Sequence, residues 1–126
     1  MEDLMQKVRE GRGTDAACML DYCTQIEEYA ERAGDARLLG FSHYYKGRTY
    51  YLSNETGKVF EEIGEALGYL EQSGQKEDTL VIFHSDHGEN LGDHGMYLKG
   101  PYFYENNVHV PLIISWPGKI PGGRKS

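Results

Sequence analysis

No proline stands before residue 101; all four (Pro101, Pro111, Pro117 and Pro121) fall near the C-terminal end. Proline fixes φ and removes a backbone N–H, so the first hundred residues are free to run as helix and the tail is not. Charge and histidine follow the same division. Residues 1–78 hold 16 of the 20 acids and 9 of the 13 bases, which is the whole net charge of -7, while residues 79–126 hold four of each. Four of the five histidines (His84, His87, His94 and His109) lie in the second part. The pattern predicts helices first, then a strand-and-loop segment rich in Gly, Pro and His.

The front reads as an acidic helical segment. Thr14 or Asp15 can cap a helix whose apolar positions Met19, Tyr22, Ile26, Tyr29 and Ala30 recur every three or four residues, and Gly34 ends it. A second helix is expected from Asp35 to Leu52. Asn54 or Glu55 opens a third, with the stripe Val59, Phe60, Ile63, Leu67 and Leu70 and its close at Gly74. The last two form an αα-hairpin. Met1 to Gly13 mixes acids and bases without an apolar stretch, so no signal peptide is expected.

Composition narrows the function classes. A chain of 126 residues can bury roughly two-thirds of its unfolded surface, as one compact domain or two small pieces. Mean hydropathy is -0.63, and no apolar run approaches the ~20 residues that span a bilayer, so no membrane is expected as partner. The acidic balance argues against nucleic acid, whose phosphates need clustered Lys and Arg. Cys18 and Cys23 are too few for a disulfide scaffold and read as reduced core thiols of a cytosolic (cytoplasmic) protein.

The chemistry concentrates after Thr79–Phe83, an uninterrupted apolar run of the kind found in strands buried on both faces of a parallel α/β sheet. Directly behind it stand Ser85, Asp86, His87 and Gly88, where α/β folds collect ligands at strand ends. A carboxylate and an imidazole on one tight turn can converge on a cation, and a mixed oxygen–nitrogen pair suits Mn²⁺ or Zn²⁺ better than Ca²⁺. Lys99 can offer a positive charge to an anionic group. Taken alone, an Asp-His-Gly triplet also fits an ordinary turn with Asp as local cap.

The linked motifs Ser85-Asp86-His87-Gly88, Leu91-Gly92-Asp93-His94-Gly95, Lys99-Gly100-Pro101, Phe103-Tyr104-Glu105, Val110-Pro111-Leu112-Ile113-Ile114 and Trp116-Pro117-Gly118 closely resemble the sulfatase family of the alkaline phosphatase superfamily, over about residues 58–124. The resemblance implies that Asp86 and His87 are two ligands of a divalent metal ion (Mn, Zn or Ca), and that Lys99 contacts the oxygens of a sulfate or phosphate ester. It implies a loop-fixing or outer-shell role for His94 and Asp93. His84, where relatives often carry a small hydroxyl residue, is expected buried or half-buried without a role. Val110–Ser115 is expected as a second sheet strand, flanked by His109. In the front, Gly47, Tyr50, Ile63 and Ala66 resemble one tetratricopeptide unit, and residues 38–73 look like helical sensor regions of signalling proteins.

The family's nucleophile comes from a Cys/Ser-x-Pro-x-Arg motif, and neither Cys18-Met19-Leu20 nor Cys23-Thr24-Gln25 matches it. The paired aspartates of the family's first strand have no counterpart either. The expected architecture is therefore an incomplete α/β fold: an acidic helical segment (1–57, its hairpin extending to 73), then a sulfatase-like helix–strand–loop–strand fragment (58–126). The expected site is partial, with no catalytic nucleophile and no activity in this chain alone, as in a truncated or rearranged reading frame. A protein-binding or sensor module with a residual tail is the alternative, and a phosphodiester or phosphonate hydrolase the alternative within the superfamily. Two strands suited to a sheet interior also predict marginal stability, self-association through exposed strand edges, or a disordered loop from Glu89 to Val108.

Overall fold

The computed structural model describes residues 1–11 and 15–125. They fall into two compact units, residues 1–76 and the remainder from Glu77.

The first unit is four helices: α1 (Glu2–Glu10), α2 (Ala16–Ala33), α3 (Ala36–Leu52) and α4 (Thr56–Gln72). The ends of α2 and α3 follow from single residues. The Asp15 carboxylate accepts from the N–H groups of Ala17 and Cys18 at 3.1 and 3.4 Å, satisfying donors that a helix start leaves orphaned; Thr14 lies outside the described residues. Gly34, at φ 65°, supplies the left-handed turn that ends α2. Asp35 then caps α3 by accepting from Arg37 and Leu38 N–H at 3.0 and 3.1 Å.

α1 was not expected from the sequence. Its apolar residues Leu4, Met5 and Val8 are spaced for one helical face, but charged neighbours hide the stripe. Val8 is fully buried in a core with Met19, Cys23 and Ile26, walled by Leu38, Phe41 and Tyr45. The expectation of two core thiols holds for Cys23 and fails for Cys18, which is half-exposed because five positions turn it onto another face.

α3 and α4 pack as the expected hairpin, so closely that a Cβ on Gly47 would lie 3.0 Å from Ile63 Cδ1. His43 on α3 contacts both neighbours: its Nδ1 is 2.6 Å from Glu62 of α4 and its Nε2 3.5 Å from Glu27 of α2, while Lys46 pairs with Glu27. The outer part of the α4 stripe is open, with Phe60 71% and Leu67 48% exposed.

In the second unit, β1 (Val81–His84) pairs with β2 (Leu112–Ser115), both starting two residues later than the sequence suggests. The fold is thus the incomplete α/β arrangement expected. The reading of strands buried as in a parallel sheet is corrected: the pair is antiparallel, with Val81 opposite Ser115 and His84 opposite Leu112. An antiparallel pair needs no crossover helix, and the chain between β1 and β2 contains just a turn at residues 93–95 and the four-residue α5 (Glu105–Val108). With no layer of its own unit over either face, Ile82, Phe83, Leu112, Ile113 and Ile114 stay 46–62% exposed. His84, expected buried or half-buried, is exposed for the same reason. Trp116 Nε1–H donates to Glu77 O at 3.0 Å, joining the chain beyond β2 to the turn before β1. Residues 89–108 are linked by hydrogen bonds within the loop. Among the described residues no helix is long and apolar enough to cross a membrane.

Burial pushes the Cys23 thiol up to about 11, with the nearby Glu62 and Glu27 charges adding and Lys46 opposing. An unfolded thiol ionises near ~8.5, so above that pH the unfolded state sheds a proton the folded state keeps, and stability falls as pH rises toward 11. Urea titrations from pH 8 to 10.5 are expected to show this loss, and Cys23→Ala to flatten the slope.

Candidate functional site

The loop leaving β1 builds the site from local hydrogen bonds. Ser85 Oγ–H donates to His87 O at 2.8 Å and curls the chain. The Asp86 Oδ1 atom accepts from the His87 backbone N–H at 3.0 Å. That bond holds the Asp86 carboxyl below its ordinary range, reinforced by the charges of His87 and Lys99. Asp86 is therefore an anion at neutral pH, with its side chain 81% exposed.

His87 Nδ1–H donates to Gly88 O at 2.9 Å, so in the neutral ring the lone pair sits on Nε2. Nε2 lies 3.5 Å from Asp86 Oδ2, and the Lys99 ammonium donates to it. The structure thus brings Asp86, His87 and Lys99 to one point. Lys99 arrives there because the intervening chain folds back on itself: Leu91 N–H donates to Tyr97 O at 3.2 Å, and Gly92 N–H to Met96 O at 2.9 Å.

Two asparagines that sequence reasoning missed hold this return. Asn90 Nδ2 donates to Leu98 O at 2.6 Å and Lys99 O at 3.3 Å. Asn107 Nδ2 donates to Lys99 O at 3.1 Å and Tyr102 O at 3.2 Å. Gly88 N–H donates to Asn107 O at 2.9 Å, and a Cβ on Gly88 would sit 1.9 Å from Asn106 O. Glycine is required there by contact rather than by φ. Single asparagines carry no periodic signal, so nothing in the sequence marked them.

His94 and Asp93 are placed apart from that point. His94 adopts φ 56° and stacks on Tyr104 with ring centroids 3.9 Å apart, and Asp93 accepts from Asn106 Nδ2 at 3.4 Å. Together with Glu105 and His109 they line a shallow hollow. Glu89, also missed, lies with Oε1 3.9 Å from His87 Nδ1.

The donor set fits part of a metal site. Bonds of about 2.1 Å put neighbouring ligand atoms on one ion about 3 to 3.5 Å apart, and the Asp86–His87 pair is 3.5 Å apart, its nitrogen lone pair taken by the Lys99 ammonium. Among the described residues, no group of three or more His, Cys, Asp or Glu gathers to hold a metal ion. Asp86 and His87 could thus supply two donors, and among the described residues no third stands with them.

A family model of sulfatases matches residues 28–126, most of the chain. The chain is 35% identical over 108 residues to an N-acetylglucosamine-6-O-sulfatase of Bacteroides thetaiotaomicron, covering 83% of this chain and 18% of that protein. It is 38% identical over 77 residues to a choline-sulfatase of Rhizobium meliloti, covering 61% and 15%, and 39% over 67 residues to an arylsulfatase of Clostridium perfringens, covering 53% and 14%. No solved structure gives a significant match. The chain belongs to the sulfatase family, and it spans less than a fifth of the length of these relatives. The family match begins well upstream of residue 58, about where the resemblance was expected to begin, and takes in α3 and α4 entirely.

Gly88→Ala tests the contact that assembles the site. The added methyl has nowhere to go without parting Gly88 from Asn106 and Asn107, and overpacking of this kind costs about 1–3 kcal/mol. Amide spectra are expected to show residues 86–108 displaced and the α2–α3 resonances unmoved.

Proposed function

We propose that this chain carries one part of the active site of a sulfatase-type ester hydrolase, the part that ligates a divalent metal ion through Asp86 and His87 and meets the ester's anionic group through Lys99, and that it is inactive alone. The observation that carries this reading is the convergence of the Asp86 carboxylate, the His87 Nε2 lone pair and the Lys99 ammonium at the end of β1.

Each residue has a task that follows from its surroundings. Asp86 is kept ionised by the N–H of His87 and stands open to solvent. His87 is held by Gly88 O in the tautomer that presents Nε2. That lone pair has room for one partner, so Lys99 must turn away from it on its flexible stem before His87 can ligate. The freed ammonium is then beside the place where an oxyanion would lie, and it binds sulfate or phosphate as a point charge. A divalent cation, when bound, supplies Lewis-acid stabilisation of charge on the ester oxygens. This chain lacks the family's nucleophile motif, and no closed ligand set gathers among the described residues, so the covalent step has no agent here.

The test is an amide NMR titration of the full chain with Zn²⁺, beside Asp86→Ala, with 4-nitrophenyl sulfate turnover measured on the same samples. Shifts confined to residues 84–99 are expected, weakened at least about tenfold in the variant, the loss of a direct ligand being no milder than that of its supporting partners. Turnover by the chain is expected at the level of the variant. Shifts elsewhere, or ester hydrolysis that Asp86→Ala abolishes, would overturn the respective half of the proposal.

A further inference from the structure

Burial in the second unit runs against the usual preference. From Glu77 onward, the two described residues that are buried are Asn90 and Asn107, 2% and 5% exposed. The large apolar side chains of the same loop are outside: Leu91 is 80%, Tyr97 81%, Leu98 74% and Phe103 91% exposed. A loop that needed filler would bury these, because an amide taken out of water costs free energy unless its hydrogen bonds are remade. The two amides share one target. Both Nδ2 groups donate to the Lys99 carbonyl, at 3.3 and 3.1 Å, so both of its lone pairs are taken.

Asn107 also bears on the other side of the site, because its own carbonyl accepts the N–H of Gly88, next to His87. Asn90 is held in turn by Asn106, whose Nδ2 donates to Asn90 Oδ1 at 3.0 Å. Asn107 Oδ1 is buried with no hydrogen-bond partner among the described residues, so this side chain is placed for its donors at the cost of its acceptor.

We infer that Asn90 and Asn107 are positioning residues for Lys99: their amides clamp its carbonyl between them and fix where its side chain starts, opposite His87 Nε2. Four rotatable bonds separate that origin from the ammonium, so a backbone free to swing would present the charge over a wide volume, whereas a clamped one presents it at the site. The inference rests on the proposed anion-binding role of Lys99.

The experiment uses the full chain with Asn90→Ala, Asn107→Ala and Lys99→Met. Two readouts are taken: the nuclear Overhauser contact between the His87 ring and the Lys99 ε-methylene, and the dissociation constant for inorganic sulfate from amide shifts. Each asparagine variant is expected to lose the contact and weaken sulfate by roughly tenfold, on the order of one positioned hydrogen bond, with β1 and β2 amides unmoved. If both variants keep the contact and the affinity, the inference is overturned. Should either variant fail to fold, hydrogen exchange of the wild-type side-chain amides decides: Asn90 and Asn107 are expected to exchange far more slowly than exposed Asn54, and equal rates overturn the clamp. If Lys99→Met binds sulfate as the wild type does while the contact depends on the asparagines, the anion-binding proposal fails and the clamp stands.

Discussion

The hydrogen bond from Gly88 N–H to Asn107 O, and the absence of a side chain at Gly88 that allows it, is the constraint on which the second unit depends. It draws α5 against the loop that leaves β1. Once Asn107 is seated there, its amide reaches the carbonyls of Lys99 and Tyr102. Lys99 then stands within reach of a histidine twelve residues earlier in the chain. A β-strand pair of four residues a side could not impose that alignment alone, because the loop it closes is far longer than the strands. The site is assembled by polar contacts inside the loop, and the strands fix just where the loop begins and ends.

How much of this was legible depended on the kind of signal each element leaves. α2 and α3 could be read nearly to the residue, since Asp15, Gly34 and Asp35 are chemical punctuation whose roles are local. α1 escaped because its apolar positions are few and dispersed among charges, and its helical state is bound up with burial of Val8 in the core formed with α2. The strands were found but their pairing was misjudged: an apolar run reports hydrophobicity and says nothing of direction or of what covers it. Asp86, His87 and Lys99 stood out because they sit in motifs that resemble sulfatases, whereas the contacts of Asn90 and Asn107 did not, because they run to carbonyls several residues away. The family match reaches into α2, so the helical hairpin shares its descent with the loop that follows, a continuity that the change in composition near residue 78 had obscured.

The two units are stabilised by different physics. Residues 1–76 have an apolar core of Val8, Met19, Cys23 and Ile26, tightened at its polar side by Glu27, His43, Lys46 and Glu62. Among the described residues the unit from Glu77 has no such core; the two buried side chains are the amides of Asn90 and Asn107. Net hydrogen-bond contributions are modest and hydrophobic ones scale with area, so the front carries most of the folding free energy while the back carries the proposed site.

That asymmetry extends to heat capacity. Exposure of apolar surface raises the heat capacity on unfolding and exposure of polar surface lowers it. Opening the amide-lined loop exposes chiefly peptide groups, since Leu91, Tyr97, Leu98 and Phe103 already face water. Opening the loop therefore adds little to the heat-capacity step of unfolding, and that step reports chiefly on the helices.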